Sequence, residues 1–331
     1  MGWTWDVTLS VFRGMGGRAE NVRPKPGGRG LVPVDPTKAV LLQAPDNLIF
    51  PISDLEFVDG RLGIKTSANV GKAERIFFDN YQESFSWGAG GRDDALAFVT
   101  GLRNLPEEVG RELEGRFGIN RPGEDMEEET QNWFLHSRCL GRQGTPVMVP
   151  FLEQVEHASA APAILSKNGI ALRGTFEQDI RTPRSDADPL GFFARFGYAS
   201  PEQIAFSLPL KLKAGKFDLI VARDINLASE IGSFSVPQFS FDGKSLRLSC
   251  AMIGNVHYPK LSKGIFYRVL RDAGHDDPEF TFDIVVHQNR MAFLKLLALL
   301  EPYDEDIVRT LRIVARHQLE AISHCLGSRQ L

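Results

Sequence analysis

Cysteine and long apolar runs are scarce in this sequence, and both shortages exclude classes of protein. The 331 residues include three cysteines, which are far apart and form no CxxC pair. This argues against a disulfide framework or a structural zinc site and favours a reducing compartment. The longest apolar run, from Phe293 to Leu300, is interrupted by Lys295 and is far shorter than the roughly 20 residues that span a bilayer.

Positive charge is not in excess either. The 38 lysines and arginines are outnumbered by 42 aspartates and glutamates, which gives a formal net charge of −4. A protein whose main partner is a phosphate backbone usually carries a basic balance, so we expect no nucleic-acid partner. The amino terminus has neither the basic start nor the continuous apolar core of a secretory signal. We therefore expect a cytoplasmic protein with no membrane partner.

Tyrosine is rare although phenylalanine is abundant. There are 23 phenylalanines and only five tyrosines, at positions 81, 198, 258, 267 and 303. Any mechanism that needs a buried phenol therefore has few candidates. The hydrophobic fraction of 43% is nevertheless sufficient for a full core, in one large or two modest domains.

The amino-terminal part of the chain has the pattern of short strands. From Trp3 to Val11 every odd position is apolar, a period of two that predicts a strand with one buried face. Further short strands are predicted at Leu31 to Val34 and at Ala39 to Gln43. The Asp59-Gly60 pair between two apolar runs predicts a hairpin.

The middle and the end of the chain have helical patterns. Residues 69 to 138 carry helical signals, and the acidic stretch from Glu124 to Glu129 suits a helix start because carboxylates favour that end of the helix dipole. Short strands follow, and we place a domain boundary near Lys213 to Phe217. Beyond it, an Asp242-Gly243 hairpin precedes three predicted helices, at Leu261 to Ala273, Ile284 to Leu300 and Asp304 to Leu326.

Three short motifs suit a binding site, and each also has a purely structural interpretation. In Gly27-Gly28-Arg29-Gly30, the glycines allow either a close approach to a ligand or a tight turn. No helix is predicted to follow, so this is not a dinucleotide fingerprint. His157 suits a base, a ligand-orienting group or a buried histidine with a partner, and Phe196-Gly197-Tyr198 also suits an aromatic core.

The order of four segments is more specific than any one of them. GGRGLVPVDPTKAVLLQAPDNLIF from Gly27 is followed by NWFLHSRCLG from Asn132, by VMVPFLEQVEHAS from Val147, and by GTFEQDI and LGFFARFGYASPEQIAFSLPL between Gly174 and Leu210. Together they resemble the SET-domain methyltransferases. Within that family they are similar to the branch that contains the Rubisco large-subunit lysine methyltransferase and the actin-histidine methyltransferase.

The resemblance covers nearly the whole chain and implies a fold. We expect an α+β protein with a SET-like fold of short β-sheets in residues 1–213, including a helical insert at about 70–136. A mostly helical carboxy-terminal domain, residues 214–331, corresponds to the part that binds the substrate in this family.

The resemblance also implies a cofactor, S-adenosylmethionine. In the family it is held by the GRG loop, the SR segment and the NH dipeptide, which correspond here to Arg29, Gly30, Leu31, Ser137, Arg138, Glu156 and His157. The methyl acceptor enters from the opposite face through a narrow channel, where tyrosine hydroxyls orient it. Catalysis of this kind depends mainly on positioning and desolvating a neutral nucleophile, and no metal is implied.

The sequence departs from the family pattern at three places. The family's Asn before His is Glu156, which keeps an acceptor for the cofactor's ammonium but adds a charge. No tyrosine occurs between Tyr81 and Tyr198, where the family has one upstream of its YGF motif. That motif is Phe196-Gly197-Tyr198 here, so the hydroxyl and the bare ring have exchanged places. Tyr198 and Phe196 are therefore the candidate catalytic residues.

Three hypotheses follow. The leading one is an S-adenosylmethionine-dependent N-methyltransferase that acts on a lysine or histidine side chain of a protein or peptide docked on the carboxy-terminal helical domain. The second is a related enzyme with a small-molecule acceptor. The third is a degenerate SET-like module that binds cofactor or a partner without catalysis, because the loss of orienting hydroxyls removes transition-state stabilisation.

Overall fold

The chain is a mixture of helices and short strands. The computed structural model describes residues 2–26, 30–157, 164–165, 169–182, 188–202, 204–223 and 238–325. The helices in these ranges are α1 Trp5–Gly14, α2 Lys72–Phe85, α3 Arg92–Arg103, α4 Glu107–Glu112, α5 Met126–Arg138, α6 Pro189–Phe196, α7 Pro259–Asp272, α8 Pro278–Leu300 and α9 Asp306–Ser323.

The strands are short, and most have five residues or fewer. In chain order they are β1 Arg18–Glu20, β2 Val22–Pro24, β3 Leu31–Pro33, β4 Val40–Ala44, β5 Phe50–Pro51, β6 Leu55–Val58, β7 Arg61–Ile64, β8 Leu140–Arg142, β9 Thr145–Met148, β10 Glu156–His157, β11 Ile164–Leu165, β12 Ile170–Gly174, β13 Arg181–Thr182, β14 Ile204–Phe206, β15 Leu210–Ala214, β16 Phe217–Ala222, β17 Gln238–Phe241, β18 Ser245–Ser249 and β19 Met252–Asn255. The predicted α+β class is confirmed, and the described chain from Pro259 onward is helical, as expected.

The described residues form two compact units that are not contiguous in sequence. The first unit comprises described residues up to 99 and those between 124 and 182. The second comprises residues 100–123 and the described residues from 188 onward. The predicted boundary near Lys213 to Phe217 coincides with the turn between β15 and β16, which pair antiparallel within the second unit. The division into domains at 213 remains a prediction.

The first unit is built from small sheets around one apolar core. Its four-stranded sheet has the order β1-β4-β12-β11, and its three-stranded sheet has the order β5-β9-β8. The described residues of this unit also form two-stranded sheets, which pair β2 with β3, β6 with β7, and β10 with β13. The core includes aromatic side chains from α1, α2 and the segment after β9, among them Phe12, Phe77, Tyr81 and Phe151.

The second unit combines a four-stranded sheet with helices. The sheet has the order β15-β16-β18-β17, with β16 and β18 parallel and the other pairs antiparallel. α9 buries one face, which consists of Val308, Leu311, Val314, Ala315, Gln318, Ala321 and Ile322.

One predicted element is wrong. Residues Trp3 to Val11 were expected to form a strand, but the chain forms helix α1 from Trp5 to Gly14. Thr4 caps the helix, since its side-chain oxygen accepts from the Val7 amide, and the buried positions are Thr8, Leu9 and Phe12. That spacing is helical, so the alternation of apolar residues in the sequence does not describe which side chains are buried.

Predictions that rested on local turn and cap chemistry are confirmed. The Asp59-Gly60 hairpin joins β6 to β7, and the Asp242-Gly243 hairpin joins β17 to β18. Asp125, within the acidic stretch, caps α5 by accepting from the amides of Glu127 and Glu128.

The cysteines are buried separately. Cys139 belongs to the first unit, and Cys250 and Cys325 belong to the second. All three are buried and none forms a disulfide. No helix in the described ranges is long and apolar enough to cross a membrane.

Candidate functional site

The site expected from the sequence lies in the first unit, where β10 pairs with β13. The two strands are parallel, with Glu156 opposite Arg181 and His157 opposite Thr182. A hydrogen bond of 2.6 Å joins His157 Nδ1 to Thr182 Oγ1, and Thr182 is buried. Two segments far apart in sequence are thus fixed side by side, and the His157 ring has a defined orientation.

Gly30 lies directly against this strand pair. Its φ of +94° is a conformation that glycine adopts far more readily than other residues. A Cβ atom at this position would lie 3.7 Å from the Gln154 carbonyl oxygen and 3.9 Å from Glu156 Oε1. The structure therefore brings the end of the glycine-rich loop to the Glu156-His157 dipeptide. Residues 27–29, including the predicted cofactor ligand Arg29, lie outside the described residues.

Backbone hydrogen bonds hold the loop end in this place. The Lys25 amide donates to the Gly30 carbonyl at 3.0 Å, and the Ile180 amide donates to the Leu31 carbonyl at 2.9 Å. Leu31 is also the first residue of β3 and pairs with Pro24 of β2. The predicted cofactor residues Gly30, Leu31, Glu156 and His157 are therefore in one place, together with the segment that leads into β13.

Three charged side chains lie near the Glu156 carboxylate, namely Lys25, Arg181 and Asp179. Lys25 Nζ is 3.8 Å from Glu156 Oε1, and Arg181 Nε is 3.6 Å from Glu156 Oε2. Both cations also approach Asp179, at 2.8 Å and 3.8 Å respectively. The hydrogen bond to Asp179 raises the pKa of the Lys25 ammonium. Glu156 is half-buried, and the chain itself supplies cations for it.

The other predicted segment, Ser137-Arg138, ends helix α5. The buried Ser137 hydroxyl donates to the Phe134 carbonyl at 2.9 Å, so it stabilises the end of the helix. Arg138 Nη1 donates to the Glu153 carbonyl at 3.0 Å and lies 3.7 Å from Glu153 Oε2. The guanidinium carbon is 5.6 Å from the centre of the Phe134 ring. Arg138 is thereby fixed to the segment that precedes Glu156.

Glu153 is buried in this segment and is paired with Tyr81 of α2. The Tyr81 hydroxyl donates to Glu153 Oε1 at 2.8 Å. It accepts from the Phe151 amide and from Gln154 Nε2, each at 2.9 Å. Burial, together with the charge of Glu153, raises the pKa of Tyr81 well above its ordinary value. The phenol therefore stays protonated and donates its hydrogen bond to Glu153.

The two candidate catalytic residues belong to the second unit. Phe196 is the last residue of α6, and Gly197 ends that helix in the left-handed conformation. The rings of Phe192, Phe196 and Tyr198 pack together, with centroids 5.4 to 6.0 Å apart. Tyr198 is 37% exposed. The structure thus groups these two residues with each other and assigns them to a different unit from the predicted cofactor residues.

Sequence reasoning missed several residues of the site. Tyr81 and Glu153 are bonded across 72 positions of sequence. Lys25 and Asp179 are scattered charges with no motif of their own. Glu153 gave the one usable signal, since it is an acidic residue inside the same segment as Glu156 and three positions before it.

Comparisons with known proteins give structural likenesses only. No family model and no curated protein matches the chain. A structure of Rubisco LSMT bound to AdoMet aligns with 97% of this chain and 90% of its own, at 12% identity and a TM-score of 0.43. The SET domain of LSMT bound to lysine and AdoHcy aligns with 98% of this chain and 91% of its own, at 12% identity and a TM-score of 0.41. Likenesses of this size leave the function to be argued from the residues of the chain itself.

Within the described ranges, no group of three His, Cys, Asp or Glu side chains is arranged to hold a metal ion. The chemistry that the site offers is that of paired charges, a glycine backbone and an oriented imidazole. These groups suit a polar organic ligand that carries both an anionic and a cationic group.

Proposed function

We propose that the chain is an S-adenosylmethionine-dependent N-methyltransferase with a SET-like fold, which acts on a lysine or histidine side chain of a protein or peptide. The observation that carries the proposal is the approach of Gly30 to Glu156, at 3.9 Å from a Cβ position to the carboxylate. The resemblance in sequence implies a cofactor site made from these two segments. Their approach in the folded chain supports that site.

The residues present fit this cofactor. Its methionine part carries a carboxylate and an ammonium, which suit the guanidinium of Arg138 and the carboxylate of Glu156. A glycine at position 30 leaves the backbone accessible to a ligand, since no side chain covers it. Leu31 would contribute backbone contacts, and His157 is oriented by its bond to Thr182. Arg29 keeps the role that the resemblance gives it, and Ser137 acts through the helix end that presents Arg138.

When bound, S-adenosylmethionine would supply a methyl group for a neutral nitrogen, with S-adenosylhomocysteine as the leaving thioether. The chain has to position and desolvate that nitrogen. The proton that the nitrogen loses passes to solvent or to a nearby base. We assign Tyr198 and Phe196 to the acceptor channel, with the Tyr198 hydroxyl as a hydrogen-bonding group. The protein or peptide substrate would dock on the carboxy-terminal helical region, in the cytoplasm.

A second candidate function is a module that binds without catalysis. The observation that favours it is the pairing of Glu156, whose carboxylate already lies within 4 Å of Lys25 and Arg181. A cofactor ammonium would have to compete with these cations or join them.

Calorimetric titration with S-adenosylmethionine and S-adenosylhomocysteine tests the proposal. We expect saturable binding that is weakened in Arg138→Ala and Glu156→Ala. An absence of binding at millimolar ligand would contradict the cofactor assignment and leave the second candidate. If the cofactor binds, incubation of lysate proteins with methyl-labelled cofactor should label a polypeptide, and label found only in small molecules would contradict a protein acceptor.

Tyr198→Phe tests the acceptor channel separately. If the Tyr198 hydroxyl orients the acceptor, the variant should lose turnover and keep its affinity for the cofactor. Unchanged turnover would reject that role for Tyr198.

A further inference from the structure

Tyr81 has an unusual number of polar contacts for a buried aromatic residue. It has no exposed surface, yet its single hydroxyl contacts three partners within the four-residue segment 151–154. The partners are the Phe151 amide, the Glu153 carboxylate and the Gln154 side chain. Each bond is between 2.8 and 2.9 Å.

The segment that Tyr81 holds is strained. Phe151 has φ 67° and ψ −46°, a conformation that non-glycine residues rarely adopt. Such strain persists only where the surrounding structure fixes it. Here the amide of Phe151 is held by Tyr81, and its ring packs edge-on against Trp5, Phe12 and Tyr81 at centroid distances of 4.7 to 5.2 Å.

The same segment carries the groups that place the candidate cofactor residues. The Glu153 carbonyl accepts the hydrogen bond from Arg138, and Glu153 Oε2 is the carboxylate oxygen near that guanidinium. The Gln154 carbonyl faces Gly30. Any shift of residues 151–154 would therefore move Arg138 relative to Gly30 and Glu156.

We propose that Tyr81 is a positioning residue of the cofactor site, which fixes Arg138 through Glu153. The inference rests on the proposed function, because it assigns Arg138 to the cofactor. Tyr81 has no exposed surface, so it would act on a ligand only through the residues that it holds. Its raised pKa keeps the hydroxyl protonated, so that it donates to Glu153 while accepting from Phe151 and Gln154.

Packing alone does not account for a tyrosine at position 81. The chain uses phenylalanine at 23 positions and tyrosine at five, and Phe77 and Phe78 occupy the preceding turn of α2 with no exposed surface. A phenylalanine would fill the same volume. What tyrosine adds is a buried hydroxyl, which is costly unless it is hydrogen-bonded, and all of its partners lie in the 151–154 segment.

The test compares two ligands that differ in the part Arg138 would hold. S-adenosylhomocysteine carries the amino-acid carboxylate and also the ammonium that Glu156 would hold, and 5′-methylthioadenosine lacks both. In Tyr81→Phe we expect the Kd for S-adenosylhomocysteine to rise about tenfold, equivalent to roughly 1.4 kcal/mol. The Kd for 5′-methylthioadenosine should change less than about twofold, because its contacts do not depend on Arg138.

A matched control is Tyr267→Phe. The Tyr267 hydroxyl is buried and makes no hydrogen bond with the described residues, so its removal should leave both dissociation constants unchanged. Glu153→Gln is a second test variant, because it keeps the volume of the side chain but removes the charge beside Arg138. It should show the same selective loss as Tyr81→Phe, and it decides the question if Tyr81→Phe does not fold.

Three results would overturn the inference. An equal loss of affinity for both ligands in Tyr81→Phe would show that Tyr81 only supports the fold. Unchanged affinity for both would show that Arg138 does not depend on it. If the unmodified protein binds neither ligand, the proposed function fails and this inference fails with it. That failure differs from the other two because it appears before any substitution is made.

Discussion

Gly30 and Gly60 adopt similar backbone conformations in different surroundings, with φ +94° and +74°. A Cβ at Gly30 would lie within 4 Å of Gln154 and Glu156, whereas a Cβ at Gly60 would meet nothing within 4 Å. Alanine at either position should cost about 1–2 kcal/mol of stability, because L-residues are strained there. Only at position 30 does the added methyl also face the candidate site.

We therefore predict that Gly30→Ala weakens the binding of S-adenosylhomocysteine, whereas Gly60→Ala does not. Urea unfolding should show similar losses of stability for the two variants, and calorimetry should separate them. Equal affinities in both variants would mean that the ligand does not approach the backbone at position 30.

At the scale of single residues, the sequence predicts the residues that belong to short motifs, and it does not predict contacts that only the tertiary fold creates. The order of short segments predicts Gly30, Leu31, Glu156 and His157 as cofactor residues, because the spacing within each motif is local in the sequence. Tyr81 is noticed only as one of five tyrosines. Its partner Glu153 is chosen by the packing of α2 against the segment after β9, and nothing local in the sequence encodes that pairing.

Helix α1 illustrates the element scale. Its Phe12 side chain is 1% exposed and packs against Phe151 and Phe77, with ring centroids 4.7 and 5.9 Å away. Val7 lies on the same helix but is 44% exposed. These two positions give opposite expectations for truncation.

We predict that Phe12→Ala lowers the free energy of unfolding by about 3–5 kcal/mol, because a buried aromatic leaves a cavity. Val7→Ala should change it by less than about 0.5 kcal/mol, as surface substitutions usually do. Chemical denaturation measures both. Comparable losses of unfolding free energy in the two variants would indicate that α1 is buried on both faces, which would contradict the exposure of Val7.

Elements with local determinants were predictable, and elements with distant determinants were not. The Asp242-Gly243 hairpin is specified by its turn, where Asp242 Oδ1 accepts from the amides of Lys244 and Ser245. The β10–β13 pair has only two residues in each strand and joins segments separated by a long connection. No periodicity can be read from two residues. In α1, the apolar alternation does not match the buried face of the helix, and the Thr4 cap is the local feature that indicates a helix.

At the scale of the whole molecule, the Asp188 carboxylate connects distant parts of the second unit. It accepts from the Gly191 and Phe206 amides at 2.9 and 3.1 Å, and from Gln318 Nε2 of α9 at 2.8 Å. The Arg223 guanidinium pairs with both of its oxygens. Burial alone would raise the pKa of Asp188, but the charge of Arg223 and these hydrogen bonds outweigh it, so the pKa is lowered.

A carboxylate with a lowered pKa in the folded state stabilises the protein fully above its unfolded pKa of about 3.9. That contribution is lost as the pH falls below this value towards the folded pKa. We predict that Asp188→Asn destabilises the protein by about 3–5 kcal/mol at neutral pH, because Arg223 remains buried without its anion. The variant should also lose less stability than the original protein below pH ~4.

Thermal unfolding as a function of pH measures both effects. Asp306→Asn is the control, since its partner Arg309 and its own side chain are exposed and the pair is screened by solvent. An Asp188→Asn variant with an unchanged acid limb would show that other carboxylates determine the acid stability.

The organisation of the whole chain was the hardest part to predict. A change in composition near residue 213 suggested a boundary, but residues 100–123 group with the second unit although they lie between two parts of the first. A chain that enters a unit, leaves it and returns shows no single break in composition. The class of fold, by contrast, follows from the sum of many local signals and was predictable.

The buried cysteines make the two units independently observable. Cys139 lies in the first unit and Cys250 and Cys325 lie in the second, all with little or no exposed surface. Burial also raises the pKa of the Cys325 thiol, which lowers its reactivity further. A thiol-specific reagent can therefore modify these residues only when the surrounding structure opens. The three cysteines can therefore report on the two units without any substitution, and the labelling rate at each cysteine measures how often the structure around it opens.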